Sequence, residues 1–390
     1  MVIKDSKEYY KISNGISIAR IISMLWIFSV NYFGTSYIFK AFYGVEYEYA
    51  IKTSENFINL MNTNQWFIDK VFFVFSYAGW AGVVSFVFLT GFSLWFSILL
   101  SGKFRVSDYV IKRFNSIYVP YLFAAIIVFL VGVFITGIRP KEYELAVLIM
   151  GASRFVVNVY NYNAPLWFIS MILLLYLFFP IIPIIYNKFR FVGVLIFTLI
   201  SYFLCWIIFI LYPHIKSPLY PLIPFWAFLC TGVAMFHIIY KCLKKDLVKY
   251  LNIACLVTVV IGIGCLYKFI YLLPLSDLQT PWAIRYRFLF ASGLLGVLTF
   301  FSLGYLLPVK LHKFLRWLSR GTFAVFLYHY LLRSLFIQNI KLGILPEHLS
   351  IAFIAFYSLM LIIFSAFQGL FDKTIAKYIK KLSYKSYEIE

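Results

Sequence analysis

ARIISMLWIFSVNYFG, residues 19–34, is apolar enough to lie in lipid, yet it has an arginine at one end and an asparagine near the other. Eleven residues separate Arg20 from Asn31. At ~100° per residue they fall within about 20° of each other on a helix, roughly 16 Å apart along its axis. A polar pair on one face of a lipid-soluble helix points to a lined path or a site. The competing readings are an arginine that snorkels to the headgroups and an asparagine that bonds a neighbouring helix.

The same character extends along the chain. Of 390 residues, 63% are hydrophobic and only 13% charged, more apolar surface than a soluble domain of this size can hide. The expected class is all-α, a polytopic membrane helix bundle. About ten spans are predicted, over 16–38, 81–100, 117–137, 165–187, 191–212, 219–240, 250–272, 285–307, 322–339 and 349–372. Most of the 35 Lys and Arg then fall on one side, among them Lys103, Arg105, Lys112, Arg113, Lys241, Lys244, Lys310 and Arg316. By the positive-inside rule both termini are cytoplasmic. The net charge of +20 thus reads as topology and contact with the lipid bilayer, not as nucleic-acid binding. One transmembrane domain, residues 1–372, is expected, followed by a basic cytoplasmic tail, 373–390. Residues 39–80 and 138–164 each contain an apolar run too short to span, readable as a re-entrant segment or a surface loop. The five cysteines lack metal-ligand spacing and read as free core thiols, so no metal is expected.

Ionisable groups inside spans are few, and each is a candidate for function. Arg20 lies near the start of the first expected span, and His329 in the ninth, with Arg333 four residues on and so on the same face. For His329 the alternative is a core histidine satisfied by a neighbour. His237 and Lys268 lie near span ends, where they can snorkel. No Asp or Glu falls near the centre of a span, which argues against a cation-coupled transporter.

Five stretches carry a resemblance. SIARIISMLWIFSVNYF is similar to an opening helix with Arg or Lys and, eleven residues later, His. AGWAGVVSFVFLTGFSLWFS resembles the pattern GVxxFFxLSGFLL. VIKRFNSIYVPYLF is similar to a basic juxtamembrane KRxxRIxxPYLF, APLWFISMILLLYLFFPII to hLWFLxxLxxLYLxxPll, and RWLSRGTFAVFLYHYLL to LGxxSYxIYLxHxPL. Together, and in this order, they resemble the acyltransferase 3 family of integral membrane O-acyltransferases. The resemblance implies an enzyme that moves an acyl group, other than an amino-acyl group, from cytosolic acyl-CoA as co-substrate to a hydroxyl of a glycan or glycolipid. The expected location is the plasma membrane; the oligomeric state is left open.

Two positions depart from the pattern: Asn31 replaces the family's histidine, and Ser116 the second arginine of the basic element. Imidazole can take the proton of an attacking hydroxyl; asparagine can only donate a hydrogen bond to an oxyanion or orient a sugar. His329 is the expected replacement base. His214, His348, Glu142 and Glu144 read as residues of loops. Coenzyme A is a polyanion, and Arg20, Lys112 and Arg113 are expected to hold its phosphates. Trp80 and Trp167 offer faces for a sugar ring, or else form the interfacial belt, and Arg333 completes the expected substrate-binding set. Two other readings remain beside the enzyme: a member that has lost catalysis and binds or exports a glycan or lipid, and an unrelated transporter or scaffold.

Overall fold

A computed structural model of the chain describes residues 6–33, 79–102, 104–136, 146–147, 149–150, 167–211, 222–245, 247–272, 282–341 and 353–370. The segments 39–78 and 151–164 and the tail 373–390 lie outside the described residues, as do His214, His348, Glu142 and Glu144. The described residues are helical, with no strand among them. In chain order the helices are α1 (Lys7–Phe33), α2 (Trp80–Ser101), α3 (Val106–Arg113), α4 (Val119–Thr136), α5 (Trp167–Phe178), α6 (Ile181–Leu211), α7 (Leu222–Lys244), α8 (Val248–Leu272), α9 (Trp282–Leu306), α10 (His312–Lys341) and α11 (Phe353–Leu370).

Seven helical stretches are long and apolar enough to cross a membrane, or up to eight if the bent pair Ala291–Leu306 and Val309–His329 forms one span. That pair turns through 105° near Pro308, where the chain leaves α9. The expected boundary between 187 and 191 coincides with a break inside α6 at Arg190, where φ is 55°. A Cβ added at Gly193 would lie 3.1 Å from the Ile185 side chain, eight residues back. In an unbroken helix those positions are about 12 Å apart, so the chain turns back on itself at Arg190.

The bundle is built around α1. This helix packs against α2, α9 and α10, while α7 backs α2 and α6 backs α7. Within their most apolar windows α1 is 72% buried and α8 only 11%. The apolar side chains that α8 leaves exposed, such as Val260 and Leu256, mark a lipid-facing surface. Close crossings use glycine. A Cβ at Gly91 on α2 would collide with the backbone of Leu229 on α7, and one at Gly304 on α9 with the backbone of α1 at Asn14 and Gly15. Association between helices in lipid depends on such backbone approach.

Most hydroxyls in the spans are satisfied locally. Thr90, Thr198, Thr231 and Thr299 each donate to the carbonyl four residues earlier. Bonds between helices are therefore the informative ones. Among them, Asn14 Nδ2 donates to the carbonyl of Pro308, Ser319 to Ser17 and Tyr357 to the carbonyl of Ile21.

The expectation that His237 snorkels is corrected. Its side chain is buried, stacked on Phe191 with ring centroids 4.2 Å apart and edged by Tyr186. The fold-back at Arg190 brings those two rings onto α7. The side chain of Lys268 lies outside the described residues.

Candidate active site on one face of the first helix

α1 begins well before the expected residue 16, which puts Arg20 at its midpoint rather than near its start. The turns before residue 16 read poorly as membrane helix because Lys7, Glu8, Lys11 and Asn14 interrupt the apolar pattern. Asn14 and, one turn on, Ser17 are buried and bonded to Pro308 and Ser319.

The Arg20 guanidinium points into the bundle, not along the lipid surface, and its Nη2 donates to Ser93 Oγ on α2 at 3.0 Å. Arg113 and Tyr176 lie within electrostatic range of it. Arg113 closes α3, its guanidinium carbon 5.8 Å from the centroid of Tyr109 and 5.6 Å from that of Tyr176. Among the described residues no carboxylate pairs with either arginine. Two cations thus lie between α1, α2, α3 and α5, and the contacts the described residues make with them come from a hydroxyl and aromatic faces. Lys112 is exposed, one position away from this cluster.

A π-helical turn, Phe114–Tyr118, follows Arg113 and joins α3 to α4. Pro120 explains it: proline has no N–H to donate and its ring crowds the preceding turn. The widened turn keeps the helix going, with Val119 N–H donating to the Phe114 carbonyl. Ser116 lies on this turn, exposed, and its hydroxyl donates to the Arg113 carbonyl at 3.4 Å.

Three turns along the same face of α1, Asn31 meets His329 of α10. His329 is fully buried, packed by the rings of Phe28 and Phe326. Its Nδ1 lies 2.7 Å from the Phe326 carbonyl. A carbonyl only accepts, so Nδ1 carries the proton and the neutral ring presents a lone pair at Nε2. Asn31 Nδ2, 3.0 Å away, donates into that lone pair, and its other hydrogen goes to the Ile27 carbonyl at 2.9 Å. Each partner fixes the orientation of the next. Between the two clusters, Met24 and Ile27 occupy this face and are buried.

The structure therefore gathers Arg20 with Arg113 and Asn31 with His329. It places Arg333 one turn beyond His329 on α10, Trp80 at the start of α2 and Trp167 at the start of α5; the side chains of these three lie outside the described residues. Sequence reasoning missed Ser93, Tyr109 and Tyr176. Tyr176 lies in the quoted LWFISMILLLYLFF stretch, so its motif was visible though its role was not.

A family model described as an acyltransferase domain, acyltransferase 3, matches residues 13–367, from the first turns of α1 to the end of α11. The chain belongs to the acyltransferase 3 family. No curated protein matches it, and no solved structure does. As a family member it carries the membrane-embedded helices of the fold, with Asn31 and Ser116 where the family pattern has histidine and arginine.

Proposed function

We propose that this acyltransferase 3 protein transfers an acyl group from cytosolic acyl-CoA to a hydroxyl of a glycan or glycolipid, with His329 as the base. The observation that carries this reading is the geometry of His329, its Nδ1 against the Phe326 carbonyl and its Nε2 against Asn31. Held by the Phe326 carbonyl through Nδ1–H, the ring turns its lone pair toward Asn31, the position where the family pattern places its histidine.

Arg20 and Arg113 hold the phosphates of the donor, and the thioester arm follows the face of α1 for about 16 Å to Asn31. The acceptor-binding roles expected of Trp80, Trp167 and Arg333 complete the reading, and Lys112 adds charge at the donor's entry. The Asn31 N–H first turns from Nε2 to the thioester carbonyl oxygen, which frees the Nε2 lone pair. As the acceptor hydroxyl attacks that carbonyl, its O–H proton passes to His329 Nε2, and the Asn31 N–H donates to the developing oxyanion. When the carbon–sulfur bond breaks, the imidazolium returns the proton to the departing thiolate. Phe326 stabilises the cationic ring between the two transfers, because its carbonyl accepts from Nδ1–H throughout.

A second reading is a family member that binds or exports a glycan or lipid without acyl transfer. It is favoured by the packing of Met24 and Ile27 between the clusters and by the absence of histidine at 31. Turnover of acetyl-CoA by the purified protein in lipid, with and without acceptor glycans, decides between them. The enzyme reading expects thioester consumption that falls by ~10²–10⁴ in His329→Gln, since positioned bases are typically worth that much in rate. Coenzyme A binding with no thioester consumption by the wild type would establish the second reading.

A further inference from the structure

We propose that Tyr109 and Tyr176 are positioning residues that hold Arg113 as an unneutralised cation beside Arg20, and so set the affinity for the phosphorylated part of the donor. This rests on the reading of the two arginines as the donor's phosphate-binding group.

A guanidinium inside a helix bundle is ordinarily held by a carboxylate, which fixes its position but cancels its charge. Among the described residues no carboxylate meets Arg113, which is held differently. Its guanidinium carbon is within 6 Å of two tyrosine ring centroids, the range over which an aromatic quadrupole attracts a cation. Aromatic faces secure the group and leave its full charge for a ligand. Its Nε is buried without a hydrogen-bond partner, so the rings, not polar contacts, fix the inner edge of the group.

The rings are themselves fixed. Tyr109 Oη–H donates to the backbone carbonyl of Tyr176 at 3.1 Å, tying α3 to α5. The Tyr109 ring stacks on Phe179 at 5.5 Å and 25°, and meets Phe104 at 5.6 Å. Tyr176 also lies within electrostatic range of Arg20, so one ring is shared by the surroundings of both cations. Like charges converging in a medium of low dielectric repel, and a polyanion bridging them removes that repulsion. The family's second arginine is Ser116 here, its hydroxyl turned to the Arg113 carbonyl. The phosphate group of the donor therefore depends on Arg113 and Arg20, and Arg113 depends on its tyrosines.

The test uses the purified full-length protein in lipid. Coenzyme A binding is measured by calorimetry, and KM and kcat are measured with acetyl-CoA and with acetyl-pantetheine, which lacks the phosphates. Tyr176→Leu and Tyr109→Leu are expected to weaken coenzyme A binding and raise KM for acetyl-CoA about 3- to 30-fold, with kcat unchanged. KM for acetyl-pantetheine should not move. Tyr176→Phe keeps the ring and should stay within about twofold of wild type, which also controls for folding. If the wild type binds coenzyme A and the leucine variants bind it equally well, the positioning role is overturned and the donor reading stands. If KM rises equally for both thioesters, the tyrosines are merely structural and the proposal fails. If the wild type does not bind coenzyme A, the donor reading itself falls.

Discussion

The two clusters on α1 are built on opposite principles. At its midpoint, Arg20 and Arg113 converge with no acidic partner among the described residues, and their surroundings are a serine hydroxyl and two tyrosine rings. Near its end, Asn31 and His329 form a neutral chain in which the donors of both side chains find an acceptor. Buried charge without a counter-charge is costly, so the first cluster favours an anionic ligand. A neutral chain of hydrogen bonds needs no ligand for its stability. The first cluster is thus arranged to bind and the second to hold a proton in place, and substitutions should separate those properties.

The largest effect is expected from His329→Gln. Glutamine can still bond Asn31 but is no base, so kcat for acyl transfer should fall by ~10²–10⁴ with little change in KM for acyl-CoA. Steady-state kinetics in proteoliposomes would show the split; a fall in affinity instead would erase the distinction between the clusters. Arg113→Ala comes next. Losing one charged donor to phosphate costs about 1.5–3 kcal/mol, so KM for acyl-CoA should rise roughly 10- to 100-fold. The loss should be smaller at high salt, where the wild type is already weakened, and titrations at two ionic strengths would measure this. Asn31→Ala removes a donor to the oxyanion but leaves the base, and kcat, read with acyl-CoA saturating, is expected to fall by up to ~10²–10³ while KM for acyl-CoA stays near wild type. Ser93→Ala should have the smallest effect. It removes one hydrogen bond to Arg20, worth about 1 kcal/mol, so coenzyme A affinity should drop no more than about fivefold by calorimetry.

These contrasts were unequally visible in the sequence. The helical membrane class followed from composition, and the break at Arg190 from the expected boundary between the spans ending at 187 and starting at 191. Arg20 and His329 stood out because ionisable residues are rare in spans. The count of spans was less legible: α10 starts at His312, ten residues before the expected span, because its first turns carry Lys313, Arg316 and Arg320. Those charges mark a helix bent away from α9 rather than a loop. The shared face of Arg20 and Asn31 was a matter of helical period. The partners on other helices were not, since no local pattern states that α3 and α5 bring Tyr109 and Tyr176 to one guanidinium. The π turn beside Arg113 had a cue in Pro120, but proline marks a disturbance without saying that the helix will widen and continue. His237 was misjudged because its distance from the span end was legible and the fold-back that covers it was not.

Equilibrium binding of coenzyme A to Arg20→Ala and to His329→Gln, measured side by side with the wild-type protein in lipid, tests the division between the clusters most directly. Loss of binding in the arginine variant with wild-type affinity in the histidine variant is the predicted result. Undiminished binding without Arg20, or equal loss in both, would contradict it.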